Sequence, residues 1–86
     1  MQSRDVEVMG ALTEIFRDVL NDDSLNLTPE LTAADVPQWD SMSHIMIMAS
    51  VEVRFGIKFK TAELEQLKNV GELASLVAHK TELKQR

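Results

Sequence analysis

Residues 40–56 read DSMSHIMIMASVEVRFG, and the fold follows from how that stretch is parsed. It holds no proline, ends on Gly56 and opens on Asp40 and Ser41. Either of those side chains can accept from a free N–H in a first helical turn, and Gly serves at a helix C-terminus. The stretch therefore predicts a helix from Ser41 to Gly56. On a wheel of roughly 100° per residue, Met42, Ile45, Met46, Ala49 and Val53 share one narrow arc. His44, Ile47, Met48, Val51 and Phe55 share another, almost opposite, with Ser43, Ser50 and Arg54 on one flank and Ser41 and Glu52 on the other. A surface helix normally needs one apolar stripe to face the core. Two stripes demand either burial all round or a second binding surface, and in a small domain the second is easier to arrange. The methionines of the first arc suit adaptable contacts.

Outward from this helix the same periodicity recurs. Met9, Leu12, Phe16, Val19 and Leu20 predict a helix over 4–20. Val70, Leu73, Leu76 and Val77 predict a last helix after Asn69, with Glu72 placed as in a relative of the capping box, and the tail TELKQR is expected to fray. Ile57-Lys58-Phe59 reads as a short extended link, followed by a helical turn from Thr61 to about Gln66. Residues 21–40, NDDSLNLTPELTAADVPQWD, hold both prolines and many turn formers. This connection carries Leu25, Leu27, Leu31, Val36 and Trp39, so it is expected to be tacked onto the core, with Trp39 as its anchor. The expected architecture is all-α: a small four-helix bundle of three longer helices and one short, with a long loop between the first two. The whole chain, 1–86, reads as one domain.

Composition narrows the function. The 86 residues carry 9 Lys+Arg against 14 Asp+Glu, a net charge of −5, which argues against nucleic acid as the main partner. Residues 1–56 hold 3 basic and 10 acidic groups and residues 57–86 hold 6 and 4, an asymmetry expected of ordinary solvated surface. There is no cysteine, so the side chains offer no thiol nucleophile, disulfide or thiolate metal ligand. No apolar run approaches the ~18 residues of a membrane span, and MQSRDVEVMG lacks a signal-peptide apolar segment. A cytoplasmic protein is expected.

Asp40-Ser41-Met42 is the most informative triplet. A serine at a helix start exposes its hydroxyl beside free N–H groups, where an attached phosphate is stabilised by the helix dipole; ordinary capping also explains it. Asp40, Ser41 and His44 are the residue types of a hydrolase triad, but there is no Gly-x-Ser-x-Gly elbow and no oxyanion loop. His44 is expected to be partly buried and His79 exposed, with no metal-ligand spacing between them. Asn21-Asp22-Asp23-Ser24 lacks the Gly and terminal Glu of a calcium loop and reads as a solvated turn.

Trp39-Asp40-Ser41-Met42, then Ile45, Ile47, Val51, Phe55-Gly56-Ile57 and Phe59, resembles the core motif of acyl carrier proteins. Glu63-Leu64, Leu67 and Val70-Gly71-Glu72-Leu73 are similar to that family's third and fourth helices, so the resemblance covers roughly residues 6–80. It implies that Ser41, flanked by Asp40 and Met42 at the cofactor site, carries 4′-phosphopantetheine donated from coenzyme A by a phosphopantetheinyl transferase. It implies that Ile47, Met48, Val51 and Phe55 face the core, and that Met42, Ile45, Met46, Ala49 and Val53 face partner enzymes: acyl-loading, acyl-transfer or synthase enzymes. A carrier of this kind is not itself an enzyme, and its visits to several partners suit a monomer. Met42 stands where Leu is commoner, a volume-conserving change. Met46 and Val53 occupy positions that are often acidic in fatty-acid carriers, Arg54 adds positive charge, and only Glu52 remains. That departure implies a specialised pathway, such as one for a polyketide, a modified acyl group or a cell-envelope intermediate, rather than bulk fatty-acid synthesis. Peptidyl carriers usually show glycines before the modified serine, which Pro37-Gln38-Trp39 lacks. An aminoacyl or peptidyl carrier, or an unmodified helical adaptor using the same stripe, stands as the alternative.

Overall fold

The computed structural model describes the backbone of residues 3–84 and the side chains of residues 6–82. Four helices follow in order: α1 (Ser3–Leu20), α2 (Ser41–Phe55), the short α3 (Thr61–Glu65) and α4 (Val70–Lys84), with one 3-10 turn at Ala33–Asp35 in the long loop. There are no strands among the described residues. α1 is the central element and packs against both α2 and α4. Its core face is Val8, Leu12, Ile15 and Phe16; α2 contributes Ile47, Met48 and Val51, and α4 contributes Val70, Leu73 and Val77. The 3.6-residue spacing on each helix delivers these side chains to one interior.

Local chemistry sets the helix ends. α1 stops at Asn21, which takes the left-handed conformation (φ 53°), and the Asp22 N–H closes the end on the Arg17 carbonyl at 3.0 Å. α2 stops at Gly56 with φ 66°, where glycine carries no Cβ penalty. The Glu52 carboxylate, on the last turns of α2, accepts from the Phe59 N–H at 2.8 Å and fixes the extended link. Asn69 caps α4 by accepting from the Glu72 N–H at 2.9 Å, while Glu72 accepts from the Lys68 N–H, one residue earlier than a strict capping box. α3 is held by Glu63, whose carboxylate accepts from the Lys60 N–H at 2.8 Å and pairs with Lys80 of α4 at 2.9 Å. These contacts, the N–H first, lower the Glu63 carboxyl below its ordinary range.

The long loop is ordered by packing and by main-chain contacts. Val36 and Trp39 are buried and Leu25, Leu27 and Leu31 are half-buried against the core. Arg17 Nε donates to the Leu25 carbonyl at 2.7 Å. The Val70 and Gly71 N–H groups, in the first turn of α4, donate to the carbonyls of Leu31 and Pro29, both at 2.9 Å. Glycine suits position 71, where a Cβ would sit tightly against the Pro29 carbonyl oxygen at 3.0 Å. Asp22 Oδ1 accepts from the Ser24 N–H at 3.1 Å, so Asn21–Ser24 is an Asx-type turn.

The tail differs from the sequence reading. Residues 81–84 continue α4, with the Thr81 hydroxyl bonded back to the Val77 carbonyl at 2.7 Å, instead of fraying; residues 85–86 lie outside the described residues. Phe55 packs against the core but is half-buried, because it sits on the last turn of α2, at the edge of the interior. Leu76 is likewise half-buried, and the stripe of α4 is completed by Ala74 and Ala78.

Candidate functional site

The two arcs of α2 separate as the wheel predicts. Ile47 and Val51 are 0% exposed and Met48 is 4%, with His44 and Phe55 half-buried beside them. On the opposite side Met42, Ile45, Met46 and Val53 are 70%, 67%, 50% and 85% exposed, and Ala49 is exposed with them. Exposed apolar side chains grouped on one helix face are a surface that a partner could cover. Its charged neighbours are already engaged: Arg54 pairs with Glu14 of α1 at 3.1 Å, and Glu52 holds the Phe59 N–H.

At the head of this face, Asp40 is the N-cap. Its Oδ1 accepts from the Ser43 N–H at 2.9 Å, and its main-chain carbonyl accepts from the His44 N–H at 2.8 Å. The bond from the Ser43 N–H, with help from the Ser43 hydroxyl, holds the Asp40 carboxyl below the usual carboxylate range. Asp40 therefore does the capping, and the capping role left open for Ser41 falls away. Ser41 is the first residue of α2 and is exposed. A phosphodiester on its hydroxyl would sit at the positive end of a 15-residue helix. The residues present thus fit a phosphopantetheine arm: Ser41 to bear it, and an open groove lined by Trp39, His44 and Ile45 beside it.

No hydrolase triad forms here. His44 Nδ1 accepts from the Trp39 Nε1–H at 3.1 Å, which assigns the ring as the neutral Nε2–H tautomer, and Asp40 is committed to Ser43. Burial lowers the His44 pKa from its ordinary value. The Trp39 ring meets Phe16 edge-on, with centroids 4.9 Å apart at 89°, and stacks on His44 at 6.1 Å and 21°. Trp39 is thus the loop's anchor, but its bond to His44 was not legible from sequence: the two lie five residues apart on either side of a cap, a spacing no helical pattern flags. Among the described residues, no group of three or more His, Asp or Glu is close enough to hold a metal ion, and no helix is long and apolar enough to cross a membrane.

Known proteins agree with this geometry. A family model described as the phosphopantetheine attachment site matches residues 10–77. The chain is similar to the holo acyl carrier protein of Geobacter metallireducens, solved in solution, with 50% identity, a TM-score of 0.86 and coverage of 91% of this chain and 90% of that one. It is 34% identical over 80 residues to "Acyl carrier protein MbtL" of Mycobacterium bovis, covering 93% of this chain and 95% of the relative. It is 27% identical over 77 residues to the meromycolate extension acyl carrier protein of Mycolicibacterium aurum, covering 90% and 79%. A matched family model over most of the chain and relatives aligned nearly end to end place this protein in the phosphopantetheine attachment family, as an acyl carrier protein.

Proposed function

We propose that Ser41 is the residue that bears 4′-phosphopantetheine, transferred from coenzyme A by a phosphopantetheinyl transferase, with Asp40 and Met42 flanking the attachment. The observation that carries this is the division of labour at the start of α2, where Asp40 caps the helix and leaves an exposed serine at its first position. The chain has no cysteine; when attached, the arm supplies the thiol on which acyl groups ride as thioesters. The protein's own residues present the arm at a helix N-terminus and offer Met42, Ile45, Met46, Ala49 and Val53 to loading, transfer and synthase enzymes. It catalyses nothing itself and works as a cytoplasmic monomer of one domain, small enough to visit several partners in turn.

The test is direct. Incubation with coenzyme A and a broad-specificity transferase adds one arm per chain, and peptide mapping finds it on Ser41. An arm on Ser43, or none with several transferases, overturns the assignment and favours the unmodified adaptor.

The pathway is a specialised one. The exposed face of α2 is apolar where an acidic face would suit basic docking patches, and one relative is named for meromycolate extension. General fatty-acid elongation enzymes will therefore use the loaded protein poorly. Met46→Glu with Val53→Glu will raise that use, and the gain will shrink as salt is added, because it comes from long-range attraction. Initial rates at low and high salt read both effects. Efficient elongation by the unaltered face would refute the specialised reading.

A further inference from the structure

Trp39 and His44 bracket Ser41. The indole stands before the serine, on the loop, and the imidazole follows it in the first turn of α2. Trp39 Nε1–H donates to His44 Nδ1 at 3.1 Å, and the two rings stack with centroids 6.1 Å apart. We propose that this pair positions Ser41 for phosphopantetheine attachment. Tied together across the cap, Trp39 and His44 fix the angle at which the loop enters α2, and with it the direction in which the serine hydroxyl meets a transferase. The proposal rests on Ser41 as the attachment point.

The tie is anchored at both ends. Trp39 is buried, and Phe16 of α1 meets its ring edge-on at 4.9 Å, so the indole is held by the core as well as by its own loop. The main chain around it turns tightly: the Trp39 N–H donates to the Val36 carbonyl at 3.0 Å and the Asp40 N–H to the Gln38 carbonyl at 3.1 Å. His44 is carried by α2 itself, its N–H donating to the Asp40 carbonyl at 2.8 Å. Burial lowers the His44 pKa, which keeps Nδ1 able to accept. A contact between the residue before a cap and the helix it enters sets the entry angle of the chain. Asp40 satisfies one N–H; the ring pair supplies the remaining constraint. In the transfer a bond forms between Ser41 Oγ and phosphorus, the pyrophosphate bond of coenzyme A breaks, its nucleotide half leaves, and the hydroxyl proton passes to a base on the transferase. Such an attack needs aligned atoms, so a serine presented at the wrong angle costs rate and not docking.

Loading kinetics test the role, with the transferase fixed and the unmodified chain varied. His44→Ala will lower kcat about fivefold, the change expected for one lost hydrogen bond. KM for the chain will not change, because the exposed arc of α2 is intact. His44→Asn, whose side-chain oxygen takes the place of Nδ1, will restore kcat. Trp39→Phe keeps a ring for Phe16 but loses the N–H; it will give the same fall and stands in if His44→Ala fails to fold. The double variant will fall no further than either single one, since both remove one interaction. A merely structural role gives the other pattern: fewer folded chains raise KM and leave kcat alone. A second readout needs no arm. Trp39 is the only tryptophan, so the chain gives a single indole N–H resonance, whose exchange with solvent will be about fivefold faster in His44→Ala and restored in His44→Asn. Unchanged kcat in both single variants, a change in KM alone, His44→Asn loading like His44→Ala, or losses that add in the double variant would each overturn the positioning role. Failure of the Ser41 reading shows separately, as no gain in mass by the native chain with coenzyme A and several transferases, and takes the positioning role with it.

Discussion

Ser41→Ala will abolish attachment of the arm while leaving the helices and their stability unchanged. The proposed attachment makes the loss complete, because it places the phosphodiester on the hydroxyl at the first position of α2 and alanine offers none. The fold is spared because Ser41 is exposed and the N–H group a cap must satisfy is already held by Asp40 at 2.9 Å. Substitutions at such exposed sites stay within about 0.5 kcal/mol. Asp40→Ala gives the converse pattern. It removes the cap and costs ~1 kcal/mol, yet it keeps the serine hydroxyl, so loading slows without being lost. Intact mass after incubation with coenzyme A and a transferase, together with urea melts of both variants, separates the two roles. An arm still attached to Ser41→Ala would move the site elsewhere, Ser43 being the nearest other hydroxyl to test.

The helices were legible because their signals are local. Gly56 ends α2 and Asp40 starts it, and the 3.6-residue spacing of Leu12 and Phe16, or of Val70, Leu73 and Val77, is carried within a single turn or two. The two faces of α2 were legible for the same reason, since a wheel needs only sequence. What escaped depends on partners brought from elsewhere. Val8 and Ile15 are as much core as Leu12, but they show it only once α4 and α2 lie on both sides of α1. The extension of α4 over residues 81–84 runs against its polar composition. The Thr81 hydroxyl, bonded to the Val77 carbonyl, ties its first residue to the turn before it. Gly71 reads as an ordinary glycine inside a helix until Pro29 is found against it. At the candidate site, Ser41 and the exposed arc were visible, and the Trp39–His44 bond was not, because it joins a loop residue to the first turn of a helix across a cap.

The opposite arcs of α2 will also separate by stability. Val51 is 0% exposed, so Val51→Asp buries a carboxylate in a core that holds no buried charged residue among the described residues. Such a group costs more than ~4 kcal/mol, in the range that marks an unpaired buried charge. Typical domains have ~5–15 kcal/mol in total, and a chain this short sits toward the lower end, so the variant will be largely unfolded at room temperature. Phe16→Ala removes the largest fully buried side chain and will cost ~3–5 kcal/mol through the cavity it leaves. Phe55→Ala will cost less than Phe16→Ala, because Phe55 is half-buried at the edge of the core. On the other arc, Met46 is 50% exposed in the free protein, and Met46→Ala will change stability by only about 0.5 kcal/mol. Its effect will appear instead as slower acyl transfer with cognate enzymes, while phosphopantetheine loading is less affected. Urea melts of the four variants, with transfer rates for Met46→Ala, decide the matter. If Met46→Ala destabilises the fold as much as Phe55→Ala does, the helix is buried on both sides and the partner face must be withdrawn. If it leaves both stability and transfer untouched, the partners dock elsewhere.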